Sequence, residues 1–256
     1  MAEGLGHSPC KGRLMNAPLR LDVRDGVTRA TLNRPERGNA LDGETVEHLI
    51  DALEQASKND TRAFVIQGEG RHFCTGFDIP EDGSDDAILL HRFIRIEMLL
   101  QRVYRAPFVT IAIAQGRTFG AGADLFLACD RRAATADAKF CFPGAGFGIL
   151  LGTRRLVERV GSDEARRLVR TGAIIDPDKA IDINLANLLL EPSKIEEMIA
   201  AEAVVSIQSD TLAALQHATA TVDDDAALAD LVRSAAKPGL AARVASYRAR
   251  VKAARQ

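Results

Sequence analysis

Two glycine-containing turns are the segments of this sequence best suited to chemistry. The first, Gly76–Asp78, follows the end of a predicted strand, and the second, Gly120–Gly122, lies between a predicted strand and a predicted helix. Backbone N–H groups at such places have no partner inside a helix or strand and can donate to a ligand. The N–H groups of Phe77 and Ala121 are therefore candidate donors to one developing oxyanion, assisted by the dipole of the helix that begins near Ala121. Spacing alone also fits two unrelated tight turns.

One acidic side chain follows the second turn at helical spacing. Asp124 lies three residues after Ala121, so on a helix its carboxylate shares a face with the Ala121 N–H group. An acid at that position can transfer protons to and from a bound carbonyl compound. Acidic residues also favour the first turn of any helix, which is the structural alternative for Asp124.

The apolar pattern predicts the elements that position these residues. A hairpin at 19–33, a helix at 44–57, a strand at 63–67, a long helix ending before Pro107 and a buried strand at 108–114 precede the second turn. A short buried helix at 121–129 and a strand pair or loose strand at 132–142 follow it, and helices dominate from residue 153 onward. This order predicts an α/β domain with a mostly parallel sheet.

Composition restricts the class of protein. The chain has 256 residues, of which 46% are hydrophobic, enough for one domain of ordinary size. A net charge of −2 argues against general nucleic-acid binding. No apolar run approaches the ~18–20 residues of a membrane helix. The cysteines and histidines are scattered, so neither a disulfide framework nor a metal site is predicted, and we expect a cytoplasmic protein.

Several ordered motifs resemble those of the crotonase (enoyl-CoA hydratase/isomerase) family. The opening motif is LNRPERGNAL at 32–41, the second, at 62–78, contains GEGRHFCTGFD, and the third, at 106–130, contains GAGAD and ends in LACD. The pattern continues through 155–172, so the resemblance covers about residues 19–190. It implies a crotonase-like β-β-α spiral core at 17–190, a helical C-terminal trimerisation region at 191–256 and an N-terminal tail at 1–16.

The resemblance also implies a substrate, an assembly and a set of site residues. The substrate is a coenzyme A thioester, no separate cofactor is needed, and the assembly is a homotrimer or a dimer of trimers. The paired N–H donors of the family correspond to Phe77 and Ala121, and Asp124 stands where hydratases carry the first of two catalytic glutamates. Further positions implied to contact the substrate are Arg37, Ala40, Gly76, Asp78, Gly120, Gly122 and Gly144.

Gly144 marks a departure from the hydratases of this family. Their second glutamate follows the position of Pro143, and the segment 145–152 of this chain contains no carboxylate either. Two-carboxylate hydration in the usual geometry is therefore not expected. One carboxylate suffices for double-bond migration, decarboxylation or hydrolysis of a polarised thioester, which we rank slightly above hydration on chemistry. A non-catalytic protein that binds acyl-CoA or RNA is the alternative from another class.

Other polar residues are expected to act less directly. His91, on the long helix, is an alternative base, although a solvated helix position fits it better. His72 is expected to orient the first turn, and Asp78 to fix it through backbone hydrogen bonds. Glu97 and Glu158 are expected to be surface charges.

A basic excess between residues 131 and 170 allows three interpretations. The segment holds nine Arg or Lys side chains against four acids, and it could face CoA phosphates, bind RNA or form a solvated, salt-bridged helix face. We favour the salt-bridged face. The adenine end of CoA is instead expected near Arg34, Arg37 and Ala40, by resemblance to the opening motif.

Overall fold

The computed structural model of the chain describes residues 17–80, 85–204 and 207–253. The N-terminal tail expected at 1–16, which includes Cys10, lies outside these residues. Within them, no helix is both long enough and apolar enough to cross a membrane.

A six-stranded sheet forms the centre of the described structure. Its strands, with those of a smaller sheet, are β1 (Leu19–Arg24), β2 (Val27–Leu32), β3 (Ala63–Gly68), β4 (Val109–Ala114), β5 (Arg117–Phe119), β6 (Arg131–Ala134), β7 (Lys139–Cys141) and β8 (Leu188–Leu189). The large sheet has the order β1-β2-β3-β4-β6-β8, while β5 and β7 pair with each other. β1 and β2 are antiparallel, and the other pairs are parallel. The predicted mostly parallel sheet is confirmed.

The inner strands of the large sheet are buried on both faces, as parallel strands usually are. On β3, Phe64 and Ile66 belong to the main core on one face. Ala63 and Val65 point to the other face, where they pack with Ile199. The short apolar run of β3 is therefore a central strand that both layers of helices cover.

Ten helices surround the sheets in the described residues. They are α1 (Gly43–Lys58), α2 (Asp86–Tyr104), α3 (Ala121–Ala128), α4 (Thr153–Val160), α5 (Ser162–Thr171), α6 (Pro177–Asp182), α7 (Ile195–Ala203), α8 (Ser209–Thr219), α9 (Asp224–Ala235) and α10 (Leu240–Ala253). Their ends carry the expected signals: the Asp42 side chain accepts a hydrogen bond from the Thr45 N–H at 2.8 Å, which caps α1.

Two parts of the predicted element order need correction. The strand pair expected at 132–142 exists, but its members join different sheets, because β6 pairs with β4 and β7 pairs with β5. Helix α9 was not predicted from the sequence. Asp223 caps it by accepting from the Ala226 N–H at 2.9 Å, so the acidic run at 223–225 begins a helix.

The last two helices close one side of the molecule against α2. Leu231 of α9 and Val244 of α10 pack with Leu89 and Phe93 of α2 in one apolar cluster. Asp86, in the first turn of α2, accepts from the N–H groups of Gly239 and Ala241, both at 2.8 Å. These contacts place α10 next to the loop that follows β7.

Candidate active site

The first turn is held in place by pairing with the segment before α1. The Leu41 N–H donates to the Gly76 carbonyl at 2.8 Å, and the Asp78 N–H donates to the Leu41 carbonyl at 3.0 Å. Phe77 lies between these two bonds, so its N–H group faces away from Leu41. Gly76 has a φ of 101°, which a residue with a side chain adopts only with strain. The turn therefore presents the Phe77 N–H group in a fixed direction.

The Phe77 ring is clamped between two residues of α2. It stacks on Phe93 with ring centroids 4.4 Å apart, and the Arg92 guanidinium lies 4.3 Å from its centroid. Arg92 also donates to the Asp78 carbonyl at 2.9 Å. Stacking and cation–π contacts of this kind restrict the ring, and with it the backbone that carries the N–H group.

The second turn approaches the first at van der Waals distance. A Cβ atom at Gly122 would lie 2.7 Å from Cβ and 2.8 Å from Sγ of Cys74, so only glycine permits this approach. A Cβ atom at Gly76 would lie 3.4 Å from the Ala121 nitrogen. Ala121 is the first residue of α3, where an N–H group has no partner within the helix. The turns that carry the two candidate donors therefore lie next to each other, an arrangement that spacing alone left open.

Both turns open onto a cavity of about 640 Å³. Its walls are mostly apolar and include the side chains of Phe77, Phe93, Phe147, Ile149, Leu156 and Val244. Asp124 supplies the one carboxyl group that lines it within the described residues. An apolar cavity with a few convergent polar groups is typical of a small-molecule site.

The Asp124 carboxyl group is buried and lacks a compensating partner. Only 5% of the residue is exposed, and no hydrogen bond or ion pair to its carboxyl group occurs within the described part of the chain. Burial raises the pKa of Asp124 well above its ordinary value, the negative charge of Glu97 raises it further, and Arg155 partly opposes both effects. Asp124 therefore keeps its proton to a higher pH than an exposed aspartate does.

The expectation that Glu97 lies at the surface is wrong. Glu97 of α2 and Arg155 of α4 are fully buried and form two contacts, Nη2 to Oε1 at 2.7 Å and Nη1 to Oε2 at 3.3 Å. Glu158 is also engaged, since it accepts from the Tyr104 hydroxyl at 2.6 Å. The sequence did carry a signal for Glu97, which lies four residues after Phe93 and three before Leu100, within the apolar stripe of α2.

We expect Arg155→Met to destabilise the protein strongly. The substitution leaves the Glu97 carboxylate buried without its partner, and breaking a buried pair in this way typically costs about 3–5 kcal/mol. Urea denaturation would measure the change in the free energy of unfolding. Arg167→Met, which removes an exposed pair with Glu164, is the matched control and should change it by less than about 1 kcal/mol. Equal stability of both variants would contradict the importance of the buried pair.

Three residues of the opening and second motifs lie outside the cavity lining. The Asp78 carboxylate pairs with Arg34 at 2.8 Å and Arg37 at 3.1 Å, so side-chain ion pairs accompany the expected backbone bond of Asp78. Arg34 also donates to the Ala40 carbonyl at 2.7 Å. Arg37, Ala40 and Asp78 therefore brace the first turn, and a contact of any of them with substrate stays a prediction.

Gly144 lines the cavity, but the space beside it is occupied by the chain itself. A Cβ atom at Gly144 would lie 2.9 Å from the Ile149 carbonyl oxygen. Residues 144–147 form a short 3-10 turn, and the Ile149 N–H donates back to the Gly144 carbonyl at 3.0 Å. The loop backbone therefore fills the space at Gly144, the position that the resemblance assigns to the second acid of hydratases.

We expect that Gly144→Glu does not create a two-carboxylate site. Its Cβ forces the Ile149 backbone to move, and overpacking of this kind typically costs about 1–3 kcal/mol. Urea denaturation should show that loss, and the absorbance of crotonyl-CoA should show no hydration beyond that of the unsubstituted chain. Gly43→Glu is the matched control, because a Cβ there meets no atom within 4 Å. Rapid hydration by Gly144→Glu would contradict this account.

The two histidines and the basic residues of the sequence analysis have different surroundings in the structure. His72 accepts from the Arg117 N–H at 3.1 Å and so joins β5 to the loop that precedes the first turn. His91 lines a separate cavity of about 190 Å³, and the alternative that it is the site's base is not supported. Basic residues between 131 and 170 mostly have partners, including pairs of Arg131 with Glu202 and Arg154 with Asp230. These pairs favour the salt-bridged interpretation of the basic excess.

Comparisons with known proteins show the family of this chain. Residues 22–240 match the family model described as "Enoyl-CoA hydratase/isomerase". Among curated proteins, the chain is 32% identical over 212 residues to the "Probable enoyl-CoA hydratase echA6" of Mycobacterium leprae, covering 80% of this chain and 82% of that protein. It is 31% identical over 185 residues to the "Ethylmalonyl-CoA decarboxylase" of Mus musculus, covering 68% of this chain and 56% of that protein.

A solved structure shows the same fold. A crystal structure from Bordetella parapertussis, described as an enoyl-CoA hydratase/isomerase, superimposes with a TM-score of 0.88 at 40% sequence identity. The match covers 91% of this chain and 98% of that one. The expected crotonase-like core is thereby confirmed.

Proposed function

Because this chain belongs to the enoyl-CoA hydratase/isomerase family, we propose that it binds a coenzyme A thioester with the acyl group in the 640 Å³ cavity. The thioester oxygen is held by the N–H groups of Phe77 and Ala121. Their proximity and fixed turns support this placement, since preorganised donors stabilise an enolate-like oxyanion without reorganising solvent. The substrate brings its own coenzyme A, so the proposal requires no separate cofactor.

The proposed reaction is decarboxylation of a 2-carboxyacyl-CoA thioester. The bond from C2 to the carboxyl carbon breaks, carbon dioxide leaves, and the electron pair passes into an enolate whose oxygen the two N–H groups hold. The enolate then takes the Asp124 proton at C2, which leaves Asp124 as a carboxylate. The apolar walls favour loss of the charged substrate carboxylate, because an apolar surrounding disfavours an unpaired charge.

One observation carries this choice: Asp124 is a lone, buried acid beside the two candidate donors, and its burial raises its pKa. Decarboxylation needs a proton donor and no base. Hydration also needs a second group to take a proton from water, and Gly144 has no side chain to do so. The name of the mouse relative supports decarboxylation as well.

Hydration of an enoyl-CoA is the second candidate, favoured by the name of the mycobacterial relative and by the position of Asp124 in α3. Assays with three CoA thioesters distinguish the two reactions. Ethylmalonyl-CoA and methylmalonyl-CoA would be followed by release of carbon dioxide, and crotonyl-CoA by loss of enoyl absorbance. We expect turnover of a 2-carboxyacyl-CoA and little change in crotonyl-CoA. Rapid loss of the enoyl signal without decarboxylation would overturn the proposal in favour of hydration.

The assembly stays a prediction. We propose a homotrimer, alone or paired as a dimer of trimers, on the resemblance of the C-terminal helices. Light scattering after size-exclusion chromatography would give the molar mass, and a mass of one 27.6 kDa chain would contradict the proposal.

A further inference from the structure

A second cavity, of about 470 Å³, adjoins the candidate active site on the α4 side. Thr153 lines both cavities, and Gly152, beside it, lines the second one. The mouth of the second cavity is at the surface, where Leu150 and Val157 are 39% and 38% exposed. Of the two residues that separate the cavities, Thr153 is partly exposed and Gly152 is buried.

At Gly152, the backbone alone lies between Asp124 and the second cavity. A Cβ atom at Gly152 would lie 2.6 Å from Cγ and 2.8 Å from Cβ of Asp124, so the carboxyl group lies directly against the Gly152 backbone. Gly152 has a φ of 62°, in the left-handed region that favours glycine. Both its conformation and its contact with Asp124 require the absence of a side chain at this position.

A carboxylate oxygen with unused hydrogen-bonding capacity belongs to the lining of the second cavity. Glu158 lines it, and its Oε2 atom has no partner among the described residues. The buried Arg155 Nε and Asp224 Oδ1 atoms also have no hydrogen-bond partner among the described residues, although Asp224 Oδ1 lies 3.8 Å from Arg155 Nη2. Buried polar atoms of this kind are normally satisfied by ordered water. The other charged groups at the cavity, Arg154 and Asp230, pair with each other at 2.8 Å.

The proposed reaction requires a route by which solvent protons reach Asp124. Each decarboxylation takes one proton from Asp124, and the acid must regain it from solvent before the next turnover. A thioester bound between the two turns covers the carboxyl group on the side of the first cavity. We propose that the second cavity is a water-filled entry through which solvent protons return to Asp124 past Gly152 and Thr153, an inference that rests on the proposed function.

Filling the second cavity tests the proposal by kinetics. Val157→Phe and Ala227→Leu would narrow it from two different walls, while Leu215→Phe on α8, which lines neither large cavity, is the control. Loss of carbon dioxide precedes the return of the proton, so kcat should fall about ten-fold while kcat/KM stays within about two-fold of the unsubstituted chain. A burst of one product per site should appear. An unchanged kcat, or an equal fall in kcat/KM, would overturn the proposal.

A second measurement does not depend on turnover. An unreactive CoA thioether would occupy the first cavity, and infrared spectroscopy after mixing with D₂O would follow the C=O band of the protonated Asp124 carboxyl group, assigned with Asp124→Asn. Exchange of the acid proton should be complete within mixing in the unsubstituted chain and in Leu215→Phe, and about ten-fold or more slower in both filled variants. Equal exchange in all of them would overturn the proton entry even where decarboxylation is observed. Absence of decarboxylation with slowed exchange would count against the proposed reaction alone.

Discussion

Replacing Asp124 with asparagine is expected to lower kcat for decarboxylation by about 10²- to 10⁴-fold, the usual contribution of a positioned acid or base. The amide keeps the size of the carboxyl group but has no proton to give to the enolate at C2. Binding of the thioester depends on the N–H groups and the apolar walls, so the Kd of an unreactive CoA thioether should change little. Steady-state kinetics and isothermal titration calorimetry would measure the two quantities separately.

A matched control distinguishes loss of the acid from general damage. Asp182→Asn makes the same chemical change at an exposed position at the end of α6, and its kcat should equal that of the unsubstituted chain. If Asp124→Asn retained more than about a third of kcat, the role of Asp124 as proton donor would be refuted. A parallel loss of thioether binding would point to a structural role instead.

The raised pKa of Asp124 also gives the sign of two pH effects. Activity that needs the protonated acid is full at low pH and falls as pH rises through the raised pKa. Stability follows the same direction, because between the unfolded and the folded pKa the native state binds more protons than the unfolded state. The free energy of unfolding therefore decreases with rising pH in this window. Asp124→Asn removes that dependence and should gain stability relative to the parent chain as pH rises above ~4.

Local signals explain why much of the site could be predicted from the sequence. Gly76 and Gly120 both adopt positive φ values, as glycines in tight turns often do. Asp124 lies three residues after Ala121, a spacing that places two residues on the same face of a helix. Each of these features depends on a few neighbouring residues. The convergence of the two turns depended on the resemblance, since spacing alone also allowed unrelated turns.

Features made by distant residues could not be predicted in the same way. Arg155 meets Glu97 across 58 positions of sequence, and only the packing of α2 against α4 removes both from water. The closed loop at Gly144 depends on the backbone of Ile149, and the second cavity depends on how α4 and the start of α9 are placed. β8, with two residues, is too short to show any periodicity.

The oxyanion donors themselves can be tested one at a time through proline. Ala121 is the first residue of α3, the position at which proline is best tolerated in a helix. The preceding residue, Gly120, has a ψ of −126°, and because glycine is achiral this is the mirror image of the extended conformation that suits a residue before proline. Ala121→Pro therefore removes the N–H group with little disturbance of the helix.

We expect Ala121→Pro to lower kcat by about 10²- to 10³-fold, the usual effect of losing one oxyanion donor. Ala121→Gly keeps the N–H group while making a change of similar size, so it should retain most of the activity and serves as the control. Urea denaturation of both variants would show whether the fold is intact. A kcat for Ala121→Pro within about three-fold of that for Ala121→Gly would mean that the developing oxyanion is not held at Ala121. In that case the neighbouring turns would be a packing arrangement, and the proposed enolate chemistry would lose its physical basis.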